Sequence, residues 1–417
     1  MILALAALPA SPRADNAPGQ ETPAPLSWQD LARIALARNP DLASSRRAQE
    51  AAEARYRGTF NGYLPRLSLS QKYSQADRSL AASRWQAGAD LSLDLFNRGR
   101  FYETQAAASG LDLSRVQRRL ASVDLRFDLY SAYTGLLYAQ EQIRVSRKIR
   151  DLREDNAQMV RLKYESGRES KGNSLRAGAE LAQAEADLAQ AQRDLRASQA
   201  ELDRQLGRDE FDLQAVTGTL EVPSLPSLPD TASLTAGHPQ VDLAKAGLSR
   251  ARADLEGARS SFWPTLSAGY SRSFQGPDYF PDSPHWSAFG LLSWPLFAGG
   301  PTAAYFNLSA ARKDLRRQEE NLRSARDRVR SGLESAWSDL AAKTDQVRVQ
   351  KQFLEAALQR NMESAVRYAS GLMTFENWEL VVSDLVNSEK GVLRAERDAA
   401  LAGAAWEHSL GKPLEEP

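Results

Sequence analysis

The sequence contains no cysteine, which removes disulfides, thiolate nucleophiles, cysteine-ligated zinc and a lipid-bearing N-terminal cysteine from consideration. It has only three histidines, and His238, His285 and His408 lie far apart without the helix-spaced partners a metal site uses. Neither sign of charge is in excess: 53 Lys+Arg balance 53 Asp+Glu, which argues against a protein built mainly to hold nucleic acid. Mean hydropathy is −0.49 and, past the N-terminus, no run of about 18 apolar residues occurs, so a transmembrane helix is not expected. A transmembrane β-barrel stays open, because its strands are short and only alternate residues face lipid. No nucleophile–base pair is visible, and Ser170-Lys171-Gly172-Asn173 lacks the spacing of a phosphate-binding loop. The residues point to neither an enzyme nor a cofactor.

What is present is a duplicated unit. Asn39-Pro40-Asp41-Leu42 and Leu64-Pro65-Arg66-Leu67 return as His238-Pro239-Gln240-Val241 and Trp263-Pro264-Thr265-Leu266, with both prolines displaced by 199. Leu95-Phe96-Asn97-Arg98-Gly99 matches Leu296-Phe297-Ala298-Gly299-Gly300, and Tyr164-Glu165-Ser166-Gly167 matches Tyr368-Ala369-Ser370-Gly371. Ordered landmarks at a nearly constant offset mark an internal repeat. The expected organisation is a signal-like, disordered 1–25, a first repeat 26–207, a connector 208–233 at mid-rod, a second repeat 234–411 and a tail 412–417. Met1–Ala10 has the apolar core and small-residue end of a signal peptide, without the basic leader.

Within each unit the apolar pattern is helical. Leu113, Val116, Leu120, Val123, Phe127 and Tyr130 alternate spacings of three and four, a coiled-coil seam. Leu333, Leu340, Val347, Leu354 and Tyr368 continue a heptad register in the second unit. On the return, Leu181, Leu188, Leu195 and Leu202 interleave with Ala184 and Ala191, and Leu385, Val392, Ala399 and Trp406 repeat this at an offset of 204. Proline is absent from these stretches, as unbroken helices require. The helix Gly99–Tyr164 would span about 97 Å, and Asp41–Tyr63 and Ser170–Leu206 about 33 and 55 Å. The economical packing sets one long helix antiparallel to two short ones stacked in line.

Between Pro65 and Phe96 the period changes to two. Leu67, Leu69, Gln71 and Tyr73 alternate with Ser68, Ser70 and Lys72, and Trp85, Ala87, Ala89, Leu91 and Leu93 alternate with Gln86, Gly88, Asp90, Ser92 and Asp94. Leu266, Ala268 and Tyr270, then Trp286, Ala288, Gly290, Leu292 and Trp294, repeat the arrangement. Each unit thus supplies a hairpin of membrane-spanning length, about 66–95 and 265–296, with loops at Ser74–Arg84 and Ser273–His285. Tyr73, Trp85, Phe96, Trp263, Tyr270, Trp286, Trp294 and Phe297 are the expected interfacial aromatics. Four strands cannot close a barrel in lipid, so sharing between subunits is implied.

The doubled Asn/His-Pro…Leu/Trp-Pro spacing, Leu-Phe-x-x-Gly and Tyr-x-x-Gly resemble the TolC-type outer-membrane efflux family over roughly residues 26–411. The resemblance implies a mainly α protein with a β-barrel portion: a homotrimer with a 12-stranded outer-membrane barrel on a long periplasmic α-barrel. It further implies a passive exit channel of tripartite efflux or type I secretion, located in outer-membrane lipid. A periplasmic adaptor and an inner-membrane pump or ABC exporter would complete the path, with no nucleic acid involved. The periplasmic tip, which serves as gate and adaptor contact, then falls at Tyr164, Ser166, Gly167, Arg168 and Asn173, and at Tyr368, Ser370, Gly371, Leu372, Met373, Glu376 and Asn377. Where the family's best-known members carry tip aspartates, this chain has Asn173, Asn377 and Leu380, and Met373 replaces an arginine. A neutral Tyr368–Asn173 latch is the expectation, with Glu376 and Glu379 as nearby acids. The rival reading is a periplasmic coiled-coil adaptor or spacer, which would leave the two alternating hairpins unexplained.

Overall fold

In the computed structural model the described residues are 26–75, 84–208, 215–225, 227, 230–294 and 302–415. The signal-like segment, Pro226 and Pro229 of the connector, and Phe297 lie outside them. The chain runs α1 (Trp28–Arg38), α2 (Pro40–Thr59), β1 (Arg66–Ser74), β2 (Arg84–Phe96), α3 (Arg98–Glu165) and α4 (Lys171–Leu206). After the connector come α5 (Thr231–Ala236), α6 (Pro239–Ser260), β3 (Thr265–Gly276), β4 (Ser283–Ser293), α7 (Ala303–Ala369) and α8 (Phe375–Ser409). A short 3₁₀ turn, Phe60–Tyr63, finishes what the sequence suggested was a helix to residue 63.

The long helices α3 and α7 have 68 and 67 residues, about 100 Å each. α2 and α4 both lie on α3, α6 and α8 both lie on α7, and α3 also touches α6 and α8. Two stacked short helices therefore flank each long one. Small residues let them approach: on α4 it is Ala177, Ala184 and Ala191 that are buried, while Leu181, Leu188 and Leu195 stay half-exposed. On α3 the deepest face holds Leu125, Leu129 and Leu136, with Leu113, Val116, Leu120 and Phe127 of the expected seam only half-buried. The reason is that α3 is packed on more than one side, so a single heptad stripe does not describe it.

The stacking joints are built twice from different residues. Asn39 caps α2 by accepting the Leu42 N–H at 3.0 Å and donates through Nδ2 to the Gln205 carbonyl at 2.8 Å, tying α2 to the end of α4. His238 performs both tasks for α6 and α8: Nδ1 accepts the Gln240 N–H at 3.2 Å, and Nε2 meets the Ser409 carbonyl at 3.1 Å. That pairing requires the neutral ring protonated on Nε2. Burial, ahead of every other influence, holds the His238 pKa below its ordinary value of 6.5 and so favours this form. Gly207 and Gly411, at φ +67° and +72°, end α4 and α8 where a Cβ would lie 2.5 Å from the Arg38 carbonyl oxygen or Pro239 Cδ. Beside the first joint Leu31, Leu129, Leu206, Val216 and Leu414 form the largest core cluster, into which the C-terminal segment is drawn by the Leu414 N–H to Ser122 bond of 3.0 Å.

The four strands form one antiparallel sheet in chain order, β1 to β4. β3 and β4 extend further than the turn-forming residues suggested, pairing Phe274 with Pro284 and Gln275 with Ser283. Pro284 is tolerated because it stands at the start of β4, where a missing N–H costs little of the ladder. The ladder between β2 and β3 shifts register between Asp94 and Phe96, leaving Leu95 in a bulge at the helical end.

Candidate functional site

Two features carry functional information: the sheet faces at one end of the rod and the paired helix turns at the other. Strand registers place Leu67, Leu69, Tyr73, Trp85, Leu91, Tyr270, Trp286 and Leu292 on one face. Leu69 is 79% and Trp286 74% exposed, although both lie in regular strands. The opposite face carries Ser68, Ser70, Lys72, Asp90, Ser271 and Ser273, with Phe289 and Leu291 of β4 as its large apolar residues. A sheet with one mainly apolar face, broken only by Gln71 and Arg272, and one mainly polar face, with β1 and β4 left as open edges, matches a segment of a membrane barrel. Tyr73 and Trp85 meet at 4.9 Å at the end away from the helices, and Tyr279 joins them. Trp263, Trp294 and Phe96 mark the helical end, where Trp294 Nε1 donates to the Phe262 carbonyl at 3.2 Å. Tyr270 lies in mid-strand and stacks on Trp286 at 6.5 Å, so it is not at an end as its sequence position suggested.

At the far end both long helices stop in the same turn. Arg168 N–H bonds the Lys163 carbonyl and Leu372 N–H the Arg367 carbonyl, each at 2.8 Å, around Gly167 (φ +72°) and Gly371 (φ +80°). This is the glycine-ended helix stop in which left-handed backbone satisfies the last carbonyls. Ser170 then caps α4 through the Asn173 N–H at 3.1 Å, and Thr374 caps α8 through the Asn377 N–H at 3.4 Å. Both asparagines are therefore at the third helical position of their helices.

The two turns are joined, but not as expected. Tyr368 does not bond Asn173; its hydroxyl donates to Glu169 Oε2 at 2.8 Å, and Asn173 Nδ2 donates to Glu169 Oε1 at 2.9 Å. Glu169 precedes the cap and also accepts the Ser170 N–H at 3.0 Å. Burial pushes its carboxyl up, yet the bonds from Asn173, Ser170 and Tyr368 and the Lys163 charge outweigh this and hold it below the ordinary 4.5. The Tyr368 hydroxyl is pushed far up by burial and then by the Glu169 carboxylate. The contact between the turns is thus charged, and its carboxylate comes from Glu169, which the sequence pattern did not single out.

Tyr368 is nearly fully buried and stacks on Trp378 at 4.3 Å with an 8° tilt, with Phe375 edge-on to both. Lys163 Nζ lies 3.9 Å from the Tyr368 ring centre and donates to the Tyr368 carbonyl. Val160, Ala177, Val382 and Met373 pack into the same cluster. Tyr164, Arg168, Leu372, Glu376 and Asn377 face outward, Leu372 being 81% exposed, while Ser166 and Ser370 bond back to the Lys163 and Val366 carbonyls. Glu379 is turned inward: its carboxylate meets Arg153 at 2.7 Å, and the two side chains are 5% and 6% exposed. Arg153 also reaches Ser383 at 3.2 Å and Glu180 at 3.4 Å, so one guanidinium ties α3 to α8 and α4. Phe375 and Trp378, one turn apart at the start of α8, are a sequence signal for a docked aromatic tip that went unread.

The chain matches the family described as outer membrane efflux protein over residues 31–208 and 232–412. It is 25% identical to the alkaline protease secretion protein AprF of Pseudomonas aeruginosa over 395 residues, covering 88% of this chain and 79% of AprF. It is 24% identical to the toluene efflux pump outer membrane protein TtgF of Pseudomonas putida over 453 residues, covering 95% and 89%. A solved structure of CusC superposes with a TM-score of 0.82 at 19% identity, covering 92% of this chain and 91% of that one.

Proposed function

The chain belongs to the outer membrane efflux protein family, and on that footing we propose that three copies of it assemble into one continuous duct. It is an outer-membrane exit channel with a long periplasmic helical extension. The observation that carries the assembly is the four-stranded sheet with an apolar outer face and two unpaired edges. Open edges are not tolerated in lipid, so the sheet must be closed by other copies. Two copies would give a barrel of about eight strands, whose interior side chains fill; three is the smallest number that leaves a lumen. The Ser- and Asp-bearing face then lines the passage.

The paired turns at Gly167 and Gly371 form the periplasmic gate, held within each protomer by Tyr368 and Glu169. Exposed Tyr164, Arg168, Leu372 and Glu376 offer the contact surface for a periplasmic adaptor. The duct is passive: an inner-membrane pump or exporter supplies the energy, and this chain performs no catalysis. AprF and TtgF are named for a protease and for toluene, cargoes without shared chemistry. Selection therefore belongs to the pump.

Deleting both hairpins, 66–96 and 265–293, tests the reading by cell fractionation. The shortened chain is expected to leave the outer-membrane fraction and appear in the soluble periplasm. An adaptor or spacer would keep its location.

A further inference from the structure

At the helical end of the sheet a cavity of about 350 Å³ is lined by Tyr63, Leu95, Phe96 and Phe101 together with Arg98, Arg100 and the one acid Asp94, which Arg100 neutralises. The four apolar side chains are 45%, 56%, 47% and 61% exposed, so the cavity opens beside unburied hydrophobic surface. Phe96 lies on the apolar face of the sheet, paired with Leu266, and Arg98 follows it by two residues at the start of α3. The position is the periplasmic rim of the barrel, where Trp263 and Trp294 also sit.

The two arginines differ in charge balance. Arg100 is neutralised by Glu103 at 3.1 Å and Asp94 at 3.6 Å. Arg98 has no carboxylate partner among the described residues. Its guanidinium lies 4.6 Å from the Trp263 ring centre, and its Nη2 and Nε donate to the Tyr102 hydroxyl at 2.9 and 3.3 Å. These contacts fix the plane of the group and use two of its five N–H donors, leaving the others for an acceptor. A positioned cation without a counter-ion, beside apolar surface at membrane level, has the complement of a phosphate joined to acyl chains.

We propose that Arg98 and the adjoining cavity bind the phosphodiester headgroup of an inner-leaflet phospholipid, with its acyl chains lying on Leu95, Phe96 and Phe101. The inference rests on the barrel's place in the outer membrane. It gives the protein a lipid-anchored joint where the strands hand over to the helices.

The test uses the full assembly purified from outer membranes in mild detergent and titrated under native mass spectrometry. The probes are phosphatidylglycerol and diacylglycerol with the same chains. The protein is expected to hold phosphatidylglycerol roughly five-fold more tightly than diacylglycerol, the effect of one arginine near the membrane surface. Arg98→Gln should erase that preference and Arg98→Lys should keep part of it. Arg144→Gln, which alters an exposed arginine on α3 paired with Glu141, should change nothing. Equal affinity for the two lipids in the unaltered protein overturns the proposal, as does a preference that survives Arg98→Gln. Complete displacement of the lipid by millimolar inorganic phosphate would make this a free-anion site and also overturn it. Failure to bind either lipid overturns it as well. An intact oligomer without lipid preference defeats this inference alone, whereas absence of the protein from the outer membrane defeats the channel assembly as well.

Discussion

A Tyr368→Phe channel is expected to spend markedly more time open than the unaltered protein. The substitution keeps the ring on Trp378 and removes only the hydroxyl that reaches Glu169 across 199 residues of sequence. A hydrogen bond to a charged group contributes about 1.5–3 kcal/mol, and the half-exposed carboxylate places this one near the lower figure. That corresponds to roughly a ten-fold shift in the closed–open balance per protomer. Single-channel recording in planar bilayers reads it directly, and an unchanged open fraction would remove the latch from the account.

Acid should imitate the substitution. Because the Glu169 pKa is depressed in the folded state, its contribution is complete above the ordinary 4.5 and disappears as pH falls through the depressed value. Opening is therefore expected to rise below about pH 4.5 and to be flat at neutral pH. Glu169→Gln should be insensitive to that acid step.

Arg153→Met is expected to cost about 3–5 kcal/mol of stability, because it leaves the Glu379 carboxylate buried without its cation. The guanidinium is the shared partner of Glu379, Glu180 and Ser383, so its loss also frees α8 from α3 and α4. Pairing it with Glu379→Leu removes both charges and should recover most of the loss, since an apolar replacement of a buried ion pair is often neutral. Denaturant unfolding of the three proteins gives the coupling directly. Additive losses would mean that the pair is not coupled across the two hairpins.

Much of this molecule was legible in the sequence because its order is local and periodic. The spacing read as a helix over 99–164 is α3, Arg98–Glu165, and the period-two stretches are the four strands. The registers that place Leu69 and Trp286 outward follow from alternation alone. The strands were read short at the second hairpin because Gly276, Pro281 and Pro284 signal a turn, while Gly276 ends β3, Pro281 lies between the strands and Pro284 stands at the start of β4. The seam on α3 was read too narrow because a single-helix pattern does not reveal how many neighbours the helix has.

The contact between the two helix turns was less legible. Asn173 and Tyr368 were singled out through the family resemblance, but the carboxylate between them, Glu169, lies outside the helix and before its cap. Its role exists only once two hairpins dock, and no local pattern encodes that. The same holds for Arg153 and Glu379, ordinary members of charged helices until packing closes water away from both. His238 shows the converse case. A substitution that broke the repeat's asparagine proved to preserve its chemistry, since a neutral imidazole also offers one acceptor and one donor.

The central claim is that three copies close one barrel in the outer membrane. The most direct test is the mass of the protein extracted from outer-membrane fractions in mild detergent, corrected for bound detergent. The expected particle holds three protomers of about 45.9 kDa each. A monomer recovered from the soluble periplasm would contradict it, because four strands with two open edges could not then be standing in lipid.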